Sequence, residues 1–341
     1  MVDNFPNKRR MHCETGVMVN MLEYYGYNIS EQMVFGIGGG IYFLYFPWMK
    51  TMDFILVVMR TKPGNVIRHF AQKIHLDYHE QSFGNNVEKG SQVLDELVAK
   101  NIPVGLASNI LGLKYLNDLG FDMDYNGHHF AVIGKEGSQY VIADADKKLP
   151  NDDYVYLEET NLRYSRFKSG LSAPHGRLFY IDPLPADFAA KVDLRSATIA
   201  GLKEACNNMM SIPIHYFGVK GIHYFANHLR KWEKKYTLET INYNLLWYYR
   251  LIEQAGTGGA GYRYIYSDFL KEAAALMQSE ALDECGTLIH IAADYWRQFT
   301  VNCNRFINKQ GITLNEMADI VDEAANYEMR TFDKIKSFLK K

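Results

Sequence analysis

The chain lacks a strong charge of either sign. Its 341 residues carry 37 Lys and Arg against 39 Asp and Glu, a formal net charge of -2, so no field is available to draw in nucleic acid or an anionic membrane surface. Cysteine is scarce as well. Cys13, Cys206, Cys285 and Cys303 lie far apart, without the close pairs of a disulfide framework or a zinc knuckle. That usage fits a reducing compartment and a cytoplasmic location. Long apolar runs are missing: FILVVM at 54–59 and HFAVIG at 129–134 are far shorter than a membrane span. The N-terminal MVDNFPNKRRMHCE has charges but no apolar core of its own. Neither a nucleic-acid nor a membrane partner is therefore expected. His69, His75 and His79 cross an expected helix-to-strand boundary without an HExxH arrangement, so no metal is expected either. GIGGGIYF has neither the lysine and Ser/Thr of a phosphate loop nor the spacing of a dinucleotide fingerprint.

Apolar residues are plentiful at 48%, and aromatic residues reach 14% with 24 tyrosines. Such a chain can bury a large core in two domains. Val17, Met18, Met21, Leu22 and Tyr25 recur at helical spacing up to Gly26. A glycine run then leads to a strand ended by Pro47, and 54–60 reads as a second buried strand. A helix is expected at 63–73, a short strand at 75–79, an amphipathic helix at 87–100 and a buried strand from Ile102. The period changes in the middle, where 128–135 and 139–143 form a hairpin about Gly137. YLEETNLRYSRFK is expected to be helical and GRLFYID a closing strand, with DPLPAD at 182–187 as a boundary. Beyond about 188 the spacing is helical: 189–208, 223–253, 262–278, 282–306 and 313–338. The expected class is α+β, an α+β domain over 1–187 followed by a mainly helical domain over 188–341.

Cys13 stands where the first helix begins. The positive end of a helix and a neighbouring imidazolium both favour a thiolate. His129 opens a strand 116 residues later, and Asp144 lies fifteen further on, across a short hairpin where opposed side chains come to roughly 5 Å. These three types on these elements match the Cys-His-Asp arrangement of acyl-transfer chemistry. His128 is the rival of His129, since adjacent side chains leave opposite faces of a strand. Asp146 is likewise the rival of Asp144.

The segments HCETGVMVNMLEYYG, GHHFAVIG and YVIADAD resemble the butirosin biosynthesis protein H family, whose N-terminal domain is similar to the papain-like cysteine peptidases that cleave double-glycine leaders. The resemblance implies a papain-like fold, with Cys13 as nucleophile, His129 as base and Asp144 as its orienting acid. It favours His129 over His128 because the peptidase pattern sets the base directly before an aromatic residue and a small or β-branched run. GTGGAGYRYIYSDFLKEAA, residues 256–274, resembles the helical domain that accompanies this N-terminal domain in the family.

An oxyanion site requires donors aimed at the developing charge. The backbone N–H of Cys13 is the first. The related peptidases supply a glutamine several residues earlier, where this chain has Pro6 to Met11, which leaves Asn7 as the substitute. Gly258 and Gly259 are expected to face the substrate opening, with Arg263 and Tyr264 after them as phosphate or acyl-chain contacts.

The family resemblance implies transfer of an acyl group through a Cys13 thioester, from an acyl carrier protein or another acyl-pantetheine thioester, onto an amine of a small metabolite in antibiotic biosynthesis. No bound cofactor is expected. Lys8-Arg9-Arg10 would meet an acidic carrier protein. Resolution of the thioester by water would instead make the chain a cysteine peptidase or amidase. A noncatalytic binding protein on the same fold would keep Cys13 fully buried, or its sulfur more than about 5 Å from both histidines. The sequence leaves a homo-oligomeric state open.

Overall fold

The computed structural model describes residues 2–51, 54–120, 123–145, 153–168 and 176–340. Asp146 lies outside the described residues. The chain divides into two compact units, Met1–Val34 with Pro63–Asp193 and Phe35–Lys62 with Leu194–Lys341. In chain order the first elements are helices α1 (Cys13–Tyr24) and α2 (Glu31–Ile37), the hairpin β1 (Ile41–Thr51) and β2 (Phe54–Arg60), α3 (Asn65–Lys73), β3 (Tyr78–Gln81), α4 (Val87–Ala99) and β4 (Val104–Asn109). They are followed by α5 (Lys114–Asn117), β5 (Asn126–Glu136), β6 (Gln139–Ala143), β7 (Val155–Glu158), α6 (Glu159–Phe167), β8 (Leu178–Ile181) and α7 (Phe188–Lys191).

The first unit is the papain-like α+β part. Its six strands form one antiparallel sheet in the order β3-β8-β4-β5-β6-β7. Leu106, Phe130, Val132, Tyr140, Ile142 and Leu178 from the sheet share a core with Leu94, Leu97 and Val98 of α4 and Leu162 of α6. Helix α1 is buried from Glu14 to Leu22 without a break, so it is a central helix and not an amphipathic surface one. Gly16 makes this closeness possible. A Cβ there would lie 2.7 Å from the Arg10 Cβ and 2.9 Å from the Ala145 Cβ, and its absence lets the helix approach the chain just after Asp144.

The β5–β6 ladder contains a one-residue slip. Near the turn the partners are Glu136↔Gln139, Lys135↔Tyr140 and Gly134↔Val141, but beyond Ile133 they become Val132↔Ile142 and Ala131↔Ala143. Ile133 is the extra residue of a bulge, and every side chain beyond it changes face relative to an unbroken ladder.

The second unit joins the β1–β2 hairpin to helices α8 (Leu194–Cys206), α9 (Gly218–Leu229), α10 (Trp232–Lys235), α11 (Leu238–Tyr249), α12 (Arg263–Met277), α13 (Glu280–Ile307) and α14 (Leu314–Phe338). The hairpin, read from sequence as part of the N-terminal region, packs with these helices. Strand β1 runs past Pro47. Proline has no N–H to give to the ladder, and the pairing lapses between Phe46 and Lys50 before resuming. The single helical stretch expected over 223–253 is three helices and a π-helical turn, because Thr237 restarts the helix by capping the Thr240 N–H. Thr313 and Glu316 form a reciprocal capping box at the start of α14. Among the described residues, no helix is long and apolar enough to cross a membrane.

Candidate active site

Cys13 is the first residue of α1, preceded by His12 in an extended conformation. Helix geometry leaves the first N–H groups of α1 without intrahelical acceptors and concentrates positive potential at this end. Cys13 is partly exposed, whereas Cys206, Cys285 and Cys303 are buried. Its sulfur lies 3.9 Å from the Gly127 carbonyl. Gly127 is itself an unpaired residue of the β4–β5 ladder, between the pairs Ser108↔His128 and Asn109↔Asn126.

The structure gives Asp144 to His128. The His128 Nε2–H donates to Asp144 Oδ2 at 2.7 Å, and both side chains are buried. His129, the residue expected to be oriented by Asp144, instead donates its Nδ1–H to the Gly127 carbonyl at 2.9 Å. The bulge at Ile133 explains the correction. An unbroken ladder would set Asp144 opposite Ala131 and on the face of His129. With one residue of slip, the register of the last pair, Ala131↔Ala143, carried one residue on, turns it to the face of Phe130 and His128.

The rings of His128 and His129 both act on the Cys13 thiol. Crowding by the surrounding protein pushes the thiol up, but the hydrogen bonds and positive charges of His128 and His129 outweigh it and bring the thiol down to about 6. Burial likewise works against a charged His128, yet the Asp144 carboxylate and the Cys13 thiolate raise it well above the ordinary imidazole value. Both shifts run toward a thiolate beside an imidazolium. With Nε2 held by Asp144, Nδ1 is the nitrogen left for sulfur.

Two residues without a sequence signal complete the frame. Tyr115, on the four-residue helix α5, donates its hydroxyl to Asp144 Oδ2 at 2.6 Å. Glu31, at the start of α2, accepts the backbone N–H of Met11 at 2.9 Å and of His12 at 2.7 Å, and the Thr15 hydroxyl at 2.9 Å. Burial raises the Glu31 carboxyl above its ordinary value despite the bonds from Met11, His12 and Thr15.

Asn7 is buried, and its side-chain amide donates to the Asp153 carbonyl at 2.9 Å. That acceptor is the backbone of a neighbouring segment. The basic run holds the N-terminal segment in place: Lys8 and Arg10 pair with Glu23, and the Arg9 guanidinium donates to the Asp144 carbonyl.

The residues singled out in the glycine-rich segment belong to the second unit. Gly258 and Gly259 take positive φ angles of 69° and 89°, the turn-forming role of glycine. Tyr264 donates to Asp294 at 2.7 Å and lies under the Arg297 guanidinium. Arg263, expected to contact phosphate or acyl chain, is fully buried. Its guanidinium bonds to Glu328 at 2.9 and 3.1 Å and to the carbonyls of Met59, Gly261 and Tyr42. A guanidinium so enclosed is a core ion pair, and that expectation is corrected.

Residues 12–145 match the family model described as butirosin biosynthesis protein H, N-terminal. No curated protein matches the chain. The helical half carries a family model of its own. That model, described as a domain of unknown function (DUF4872), spans residues 160–335, just over half of the sequence, and the chain therefore belongs to the DUF4872 family, with an N-terminal region similar to butirosin biosynthesis protein H.

Proposed function

We propose that the chain is a cysteine-dependent acyltransferase that takes an acyl group from a pantetheine thioester, free or on an acyl carrier protein, and passes it to an amine of a small metabolite. The Cys13 thiolate attacks the donor carbonyl carbon. A carbon–sulfur bond forms to Cys13 as the bond to the pantetheine sulfur breaks, and the His128 imidazolium gives its proton to the departing thiolate. The amine then attacks the Cys13 thioester, its proton passes to His128, and Cys13 leaves as a thiolate. Asp144 holds the His128 ring and its charge, and the Cys13 N–H faces the developing oxyanion.

The observation that carries this reading is geometric: a partly exposed Cys13 begins α1, and the buried His128 is held by Asp144 at 2.7 Å, an arrangement that lowers the thiol and raises the imidazole. A partly exposed cysteine at a helix start, its thiol lowered by two imidazoles, is the arrangement expected of a nucleophile. The match of residues 12–145 to the butirosin biosynthesis protein H model supports acyl or amide transfer in general; donor and acceptor are this proposal's own.

Intact-mass analysis with a panel of acyl-pantetheine thioesters tests it, comparing the native chain with C13A. The expected result is an acyl adduct that requires Cys13 and disappears on adding an amine, with formation of the amide. An adduct discharged at the same rate with or without amine makes the chain a hydrolase, and no adduct across a broad panel removes the acyl-transfer reading.

A further inference from the structure

The peptide that delivers Cys13 to the start of α1 is held at each step. The Arg9 side chain donates to the Asp144 carbonyl, and the Arg10 N–H donates to the Ala145 carbonyl at 2.7 Å. The next two N–H groups, of Met11 and His12, go to the two oxygens of one carboxylate, Glu31 Oε2 and Oε1. A side-chain relay reaches the same group: the His12 Nδ1–H donates to the Thr15 hydroxyl at 3.1 Å, and that hydroxyl donates to Glu31 Oε1. Three donors from both sides of Cys13 thus converge on Glu31, and the N–H that follows the two backbone donors in the chain is that of Cys13.

From this geometry we infer that Glu31 is the positioning residue of the oxyanion site: by gripping the two peptide N–H groups before Cys13 and the hydroxyl after it, it fixes the plane of the 12–13 peptide and so the direction of the Cys13 N–H. The inference rests on Cys13 being an acyl-accepting nucleophile. A carboxylate suits the task because its two oxygens accept from several donors at once. An amide in its place has one acceptor oxygen and presents N–H to one of the same donors. Asn7 is then not required as the feature that shapes the hole, since its amide bonds to Asp153.

Two reactions of Cys13 separate positioning from ionisation. Alkylation by iodoacetamide needs the thiolate but develops no oxyanion at a carbonyl, whereas acylation by p-nitrophenyl acetate needs both. In E31Q the midpoint of alkylation against pH is expected to stay near that of the native chain, while the acylation burst slows by about 10- to 100-fold, as expected when an oxyanion donor is misaligned. E31D, which keeps both oxygens on a shorter arm, is expected to recover part of the loss. The inference is overturned if E31Q acylates within about threefold of the native chain, if alkylation and acylation fall in parallel, or if the native chain gives no burst. Acyl-pantetheine thioesters are run beside the activated ester. Failure of the thioesters alone on the native chain counts against the proposed donor and leaves the E31Q comparison intact.

Discussion

The four cysteines divide between the two units, and the division shows what makes a thiol reactive. Cys206, Cys285 and Cys303 lie among helices of the second unit, where burial pushes Cys206 and Cys285 up to about 12 and Cys303 well above its ordinary value. Cys206 and Cys285 face backbone carbonyls, of Phe332 and Thr331. Cys13 is also crowded by protein but faces two imidazoles, and it goes down to about 6. Burial acts in the same direction at all four; the partner decides the outcome. Histidine follows the same rule. His128 is raised beside Asp144, while burial, helped by Lys235 and Lys231, takes His228 down to about 4.

The sharpest break in the comparison is removal of the one low thiol. C13A is expected to abolish acyl-adduct formation, a loss on the order of 10³-fold or more, while C206A and C285A keep the iodoacetamide reactivity of Cys13, measured by peptide mapping. The next largest effect belongs to the second unit. R263A leaves the Glu328 carboxylate buried without its partner and is expected to cost about 3–5 kcal/mol in denaturant unfolding, with the pH midpoint of Cys13 alkylation unchanged; a shifted midpoint would contradict a purely structural Arg263.

Third comes the ion pair itself. Alkylation of native Cys13 is expected to rise with pH through about 6, because the thiolate is the reactive form and the two rings favour it. In H128A burial is opposed by His129 alone, so the midpoint moves upward and the rate at pH 7 falls by roughly 10- to 100-fold. Should H129A move the midpoint further than H128A, the assignment of the base reverts to His129. The smallest effect is expected from Y115F, which removes the Tyr115 hydrogen bond to Asp144 Oδ2 and leaves that of His128. About 1 kcal/mol, or up to tenfold in acylation rate, is the expected size, with D144N larger.

The helix beginning at the thiol, the hairpin bearing the histidines and the helical second half were legible because each rests on local periodicity or a local break. Which histidine faces Asp144 was not. That choice depends on the parity of the β5–β6 register, and one bulged residue, Ile133, reverses it while leaving the hydrophobic pattern of HFAVIG intact. Tyr115 and Glu31 reach the site through tertiary contact, 29 residues from Asp144 and 19 from His12, with no motif to announce them. Arg263 misled for the opposite reason. Arginine after a glycine-rich turn has the look of an anion contact, and only the placement of Glu328, 65 residues later, makes it an interior pair.

The path of the chain between the units bears on how the molecule can be cut. It leaves the first unit within α2, builds the hairpin of the second, and returns. That excursion supplies the Met59 and Tyr42 carbonyls that receive Arg263. A fragment expressed from residue 160 onward would carry the whole DUF4872 match and yet arrive without part of its own interior. The two family matches follow one another along the chain, whereas the two compact units are interleaved, and recombining one half with a foreign partner would have to carry residues 35–62 along with the helices.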